Sequence, residues 1–374
     1  MGYAYSPGLK VLAATTLRRQ RRLPLAGAVL VRIGDRVAAE QVVMRTELPG
    51  PADMVNVASV LGVLPEEVGK YLVKTPVDAL RKGELLAESK SFFGLFKTRA
   101  ESPLDGTLEA ISAVTGQVTV RGMPVPVEVA AYVDGAVVET TAGESVTIET
   151  CGAYVQGIFG IGGETCGTLA LGVARPGDAL APEAITPAHR DAVIVGGSHI
   201  SADAVRKAIG VGARAVIAGG MDDADLKALL GFELGVAITG HERLGITVVL
   251  TEGFGAIAMA DKTFALLAAC AGKKASVNGA TQIRAGVMRP EIIVPSAVAG
   301  AALAEAETPA VLDLGTMVRA IREPYFGRIG VVTALPVDLA ELPTESKARV
   351  LSVRFAAGDE ATLPRANVEV IATS

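Results

Sequence analysis

From residue 188 onward the chain repeats one phrase: a short apolar run, a glycine pair, then a helix. Ala192-Val193-Ile194-Val195 leads into Gly196-Gly197-Ser198-His199, and residues 202–209 follow with helical spacing behind Ser201 as N-cap. Arg214-Ala215-Val216-Ile217-Ala218 leads into Gly219-Gly220, and Asp222 or Asp223 opens a second helix that stops at Gly231. Residues 236–238 and 246–250 read as further strands, and 262–271 as a further helix. Short runs that are apolar at every position suit strands buried on both faces, and helices between such strands imply parallel pairing through right-handed crossovers. Residues 188–318 are therefore expected to form a parallel-sheet α/β domain.

Residues 1–187 carry a different pattern. Alternation from Gly27 to Val37 surrounds a Gly34-Asp35 turn, and a related phrase returns from Val77 to Ala87. Residues 52–71 read as a helical insertion, with Pro65-Glu66-Glu67 as a helix start. The turn Ser102-Pro103-Leu104-Asp105-Gly106 and the strand Arg81-Lys82-Gly83-Glu84-Leu85-Leu86-Ala87 resemble the barrel-sandwich hybrid of biotinyl and lipoyl domains, which also occurs as a non-carrier module. In a carrier domain the modified lysine would fall at Lys90. Here Ser89 and Ser91 flank it where biotinyl domains have methionines, which points to the non-carrier form. Phe92, Phe93 and Phe96 follow at once, in a chain that is only 4% aromatic. Clustered aromatics on a loop suit partner docking, because each contributes large contact area at low entropic cost. Residues 174–187 read as a linker.

Residues 319–374 form a third region. Glu323-Pro324-Tyr325-Phe326-Gly327-Arg328-Ile329-Gly330-Val331-Val332 places an aromatic pair and two glycines ahead of a β-branched run. The far end reads Leu363-Pro364-Arg365-Ala366-Asn367-Val368. This segment resembles a KOW-type SH3-like barrel of transcription factors and ribosomal proteins, a module that usually binds rather than catalyses. Its arginines are balanced by Glu341, Glu345, Asp359, Glu360 and Glu369, a mixture that favours protein contact over RNA. The expected fold class is thus multidomain α/β plus β.

A net charge of −5 and a pI of about 5.5 argue against a broad nucleic-acid footprint. The basic cluster Arg18, Arg19, Arg21 and Arg22 is either a partner-facing strand edge or an RNA or anionic-lipid contact. Cys151, Cys166 and Cys270 lack metal spacing and read as buried thiols of a reducing, cytoplasmic setting. No apolar run reaches the length of a membrane span.

In open parallel sheets, ligands sit at the carboxyl ends of the strands. That rule selects Gly196, Gly197, Ser198, His199, Gly219, Gly220, Asp222, Thr251, Glu252 and Gly253, with Arg284 as a clamp for a carboxylate or phosphate. The glycines are either ligand cradles or tight strand-to-helix turns, and Arg284 is either a clamp or an exposed strand residue after an Asn278-Gly279 turn. The phrase Val193–Gly197 followed by Ala215–Gly220 weakly resembles a regulatory DRTGG domain, although Ser198-His199 stands where that family has Asp-Arg. The resemblance implies sensing. No histidine pair has helical metal spacing, so no metal or cofactor is expected, and neither Ser198 nor Ser201 lies in a nucleophile elbow. The leading expectation is a non-catalytic, cytoplasmic binding, assembly or ligand-sensing protein that takes a small anionic ligand or a protein partner and is open to self-association. The alternatives are an enzyme using His199, Asp222, Glu252 and Arg284, and a transcription- or translation-linked RNA binder.

Overall fold

The computed structural model describes residues 9–91, 96–231, 244–281, 289–296, 312–320, 324–325, 327–336, 338–341, 347–355 and 358–370; the side chains of 90, 91, 96, 341 and 347 are not described. Arg284, Phe92, Phe93 and the strand expected at 236–238 lie outside these residues, as does the side chain of Phe96. The fold is mostly β, with 49% strand and 16% helix, arranged in several sheets that include a curled half-barrel. No described helix is long and apolar enough to cross a membrane.

The largest sheet is built from β1 (Val11–Arg22), β2 (Ser145–Gln156), β3 (Phe159–Ile161), β4 (Glu164–Leu171), β5 (Ala192–Val195), β6 (His199–Ile200), α1 (Ala202–Val211), β7 (Ala215–Met221), α2 (Asp223–Leu230), β8 (Thr247–Phe254), α3 (Asp261–Ala269), β9 (Lys274–Asn278) and β10 (Glu291–Pro295), the helices packing on its faces. Its spatial order is β3-β8-β7-β5-β4-β9-β10-β2, continuing past β2 to strands at Gly135–Thr141 and Arg36–Val37, and β1 lies along the opposite edge of β2. β4, β5, β7 and β8 are mutually parallel. β9 and β10 return antiparallel. Hydrogen bonding therefore crosses position 187/188 without a break: β4 from the expected N-terminal region pairs β5, and β2 pairs β10.

Strand alternation divides the apolar side chains between the two faces. Ile194, Val216, Val248 and Leu250 join Ala204, Val205 and Ala208 of α1 and Leu226 of α2. Val193, Val195, Ile217 and Val249 join Phe264 and Leu267 of α3 on the other face. This explains why these strands are apolar at every position. α1 starts where Ser201 Oγ accepts the Ala204 N–H at 3.3 Å and ends at Gly212 in the left-handed region. Val205, on the core-facing side of α1, is fully buried, so Val205→Asp would place an unpaired charge in the core.

The N-terminal region contributes three smaller sheets. Residues 52–71 are not one helix. Ala52–Asn56 is a strand paired with Gln117–Gly122, and only Val57–Leu61 and Val68–Tyr71 are α-helical, joined through a 3-10 turn at Pro65–Glu67. The pairing satisfies backbone groups that helical propensity alone could not assign, and Asn56 Oδ1 accepts the Ser59 N–H to start the helix. The repeated turn phrase has a common geometry. In Arg32–Asp35 and Arg81–Glu84 the acid's carboxylate accepts the first residue's N–H, and its own N–H returns to the first carbonyl. The same turn recurs at Thr75–Asp78 and Arg175–Asp178.

A separate C-terminal sheet holds β11 (Met317–Ala320), strands at Ile329–Ala334, Leu339–Glu341, Lys347–Phe355 and Glu360–Pro364, and a last described strand, Val368–Val370. It encloses its own core of Val318, Val332, Leu351, Val353, Phe355, Leu363 and Val368.

Candidate functional site

The carboxyl ends of β5, β7 and β8 bring most of the strand-end residues together, but the glycines there are filled by backbone. A Cβ on Gly197 would lie 2.2 Å from the Asp178 carbonyl, and one on Gly219 2.1 Å from that of Ile257. The N–H groups of Gly196, Ser198, Gly219 and Gly220 donate to Ile217, Asp178, Gly197 and Ser198 respectively. Ser198 Oγ donates to the Gly177 carbonyl at 2.9 Å, and Thr251 Oγ1 to that of Ala218 at 3.3 Å. These amides are spent on the chain itself, so they form no anion cradle.

Glu252, at the end of β8, is also engaged. Its Oε2 accepts from Arg319 Nη2 at 2.8 Å and its Oε1 from the Ala260 N–H at 3.1 Å. Arg319 reaches over from β11, its side chain only 2% exposed, and its Nη1 donates to Glu369 Oε1 at 2.8 Å. Arg289 Nη2 closes the group on Glu369 Oε2 at 2.5 Å. Two arginines and two glutamates thus form a buried, charge-balanced network joining the C-terminal sheet to the end of β8. Fit at this junction is tight: a Cβ on Gly327, which has φ +79°, would sit 2.7 Å from the Phe254 ring.

One strand end keeps its side chains for something else. His199 Nε2 lies 3.2 Å from Asp222 Oδ2 and 4.0 Å from Asp225 Oδ2. The imidazole is 19% exposed, but its Nε2 is shielded from solvent and lacks an aligned hydrogen-bond partner. Asp222 is the N-cap residue of α2, yet its carboxylate makes no capping bond. Asp225 sits in the first turn of that helix, where acids are favoured by the dipole. Among the described residues, this is the group of His, Cys, Asp and Glu whose ligand atoms converge, all within 4.8 Å of one another. Two ligand atoms on an ion bound tetrahedrally at about 2.0 Å stand about 3.3 Å apart, close to the Nε2–Oδ2 separation. An imidazole with two carboxylates is a donor set for a divalent first-row cation. Sequence alone does not single out Asp225, because no histidine or cysteine spacing points to a metal there. The i, i+3 pairing of Asp222 with Asp225 beside a strand-end histidine could have found it.

Three of the four arginines on β1 are paired with acids. Arg18 meets Glu149 at 2.7 Å, Arg19 binds Glu291 with two nitrogens, and Arg21 binds Glu164 at 2.6 and 2.8 Å. Arg22 donates to Gln20 at 3.0 Å. Arg19 and Arg21 also lie over the rings of Tyr154 and Tyr132. Burial, with Glu291 adding to it, pushes the Tyr132 phenol well above its ordinary value.

A further polar group joins β4, β9 and the N-terminal region. Lys274 Nζ donates to Glu40 at 2.6 Å and to Asp134 at 2.7 Å. The Lys274 hydrogen bond is the main cause holding the Glu40 carboxyl below its usual value. Burial, followed by a hydrogen bond to Glu40, raises the Cys166 thiol to about 11.

No protein-family model, curated protein or solved structure matches the chain.

Proposed function

We propose that this protein is a ligand-sensing binding protein whose ligand, at the carboxyl ends of the parallel strands, is a divalent cation held by His199, Asp222 and Asp225. The observation that carries this reading is the solvent-shielded Nε2 of His199, which faces two carboxylates without an aligned hydrogen bond to either. A shielded ring nitrogen without an aligned hydrogen bond gains its missing interaction when a cation binds it. Carboxylates at this rim favour a cation over the small anion expected from sequence. The three free thiols fit a reducing, cytoplasmic location.

Around this site we read a multidomain layout, with a barrel-sandwich-like N-terminal region and an SH3-like C-terminal barrel of KOW type serving as docking modules. The recurrent glycine-acid turns support the first, and the C-terminal sheet with its own core supports the second. Contact with protein is favoured over RNA because Arg18, Arg19 and Arg21 are matched by acids, whereas phosphate binding draws on unmatched cations.

The test is titration of the purified full chain with Mn²⁺, followed by electron paramagnetic resonance, and with Zn²⁺, followed by calorimetry. One saturable site is expected, weakened at least about tenfold by His199→Ala, the equivalent of losing one good ligand. A wild-type chain that binds neither ion saturably would remove the proposal.

A further inference from the structure

We infer that docking of the C-terminal sheet controls the affinity of the His199–Asp222–Asp225 site; the inference rests on the cation reading above. Residues 252–257 separate the two. On one flank, Glu252 pairs with Arg319, and Phe254 lies against Gly327. On the other flank, the Gly255 N–H donates to the Met221 carbonyl at 2.8 Å and the Ile257 N–H to the Ser198 carbonyl at 3.1 Å. Met221 and Ser198 immediately precede Asp222 and His199. One short segment therefore touches the docked sheet and holds the backbone next to two of the three ligands.

The two states are docked and undocked, and the charge network of Glu252, Arg319, Glu369 and Arg289 defines the docked one. Docking fixes residues 252–257. It thereby fixes the carbonyls beside His199 and Asp222, so the ligands are held in place before the cation arrives. Releasing the sheet lets this segment move, and the cation must then order it on binding. Thermodynamic linkage makes the effect reciprocal: a cation that prefers the docked state must stabilise docking by the same factor.

The experiment has two arms on the full chain. First, Mn²⁺ affinity is measured for wild type and Arg319→Gln, with circular dichroism confirming that the variant folds. An affinity at least about fivefold weaker in the variant is expected, the lower end of ordinary coupling. Second, hydrogen exchange is followed in wild type with and without saturating Mn²⁺. The amides of Gly255, Ile257 and residues 317–320 are expected to exchange at least about fivefold more slowly with the ion. If Arg319→Gln does not fold, the exchange arm alone decides. Wild-type binding with unchanged exchange, or with unchanged affinity in a folded variant, overturns the coupling and leaves the cation site standing. No binding to wild type removes both.

Discussion

The neighbouring strands β7 and β8 end in acids that meet opposite fates. Glu252, at the end of β8, is buried, and both its oxygens are engaged by Arg319 and a backbone amide. Asp222, just past β7, is 58% exposed and faces an imidazole without hydrogen-bond alignment. The strands are parallel neighbours, with a register shift between Ala218 and Gly220, so the topological rule that places ligands at strand ends applies to both. What separates them is the C-terminal sheet, which covers one end and leaves the other open. A rule about where sites form says nothing about which candidates the chain fills with its own side chains.

The largest effect that could break this contrast is at the closed end. Arg319→Met leaves Glu252 and Glu369 buried without their shared cation, and a loss of about 3–5 kcal/mol is expected. Urea unfolding measures it, and a loss below about 1 kcal/mol would mean that the guanidinium does not hold the junction. At the open end, His199→Ala should change stability by less than about 1 kcal/mol, since it removes a partly exposed ring with no aligned hydrogen bond. The same unfolding measurement checks it, and a cost near that of Arg319→Met would erase the distinction between the ends.

The smallest effect is kinetic and concerns another closed polar group. With Cys166 raised to about 11 beside Glu40, its thiolate fraction at pH 8 is about one in a thousand. Iodoacetamide labelling of the Cys166 peptide, followed by mass spectrometry, should therefore be slow at pH 8 and still accelerate between about pH 9 and 11. A rate that levels off by about pH 9 would show that burial and Glu40 do not protect the thiol.

Much of the central sheet was legible. Ala192–Val195 forms as expected because four apolar residues in a row have no other use in a strand buried on both faces. Ser201 caps α1 and Gly231 ends α2 because their chemistry is local. Ala52–Asn56 falls in a stretch with a helical pattern, yet it is a strand, because its partner lies at Gln117–Gly122, beyond any local pattern. The sharing of one sheet across position 187 was hidden for the same reason. Within the site, His199 and Asp222 were legible from strand-end topology. The capture of Glu252 by Arg319 was not, since pairing between residues 67 apart has no periodic signature.

The charge network also carries a consequence for the order in which the protein is made. Arg289 and Arg319 are synthesised before Glu369, which follows Arg319 by 50 residues. Until the ribosome delivers that glutamate, Arg319 has only Glu252 to neutralise it and Arg289 lacks its carboxylate. A chain stalled before residue 369 would therefore hold Arg319 by one carboxylate in place of two and leave Arg289 without the carboxylate it pairs with.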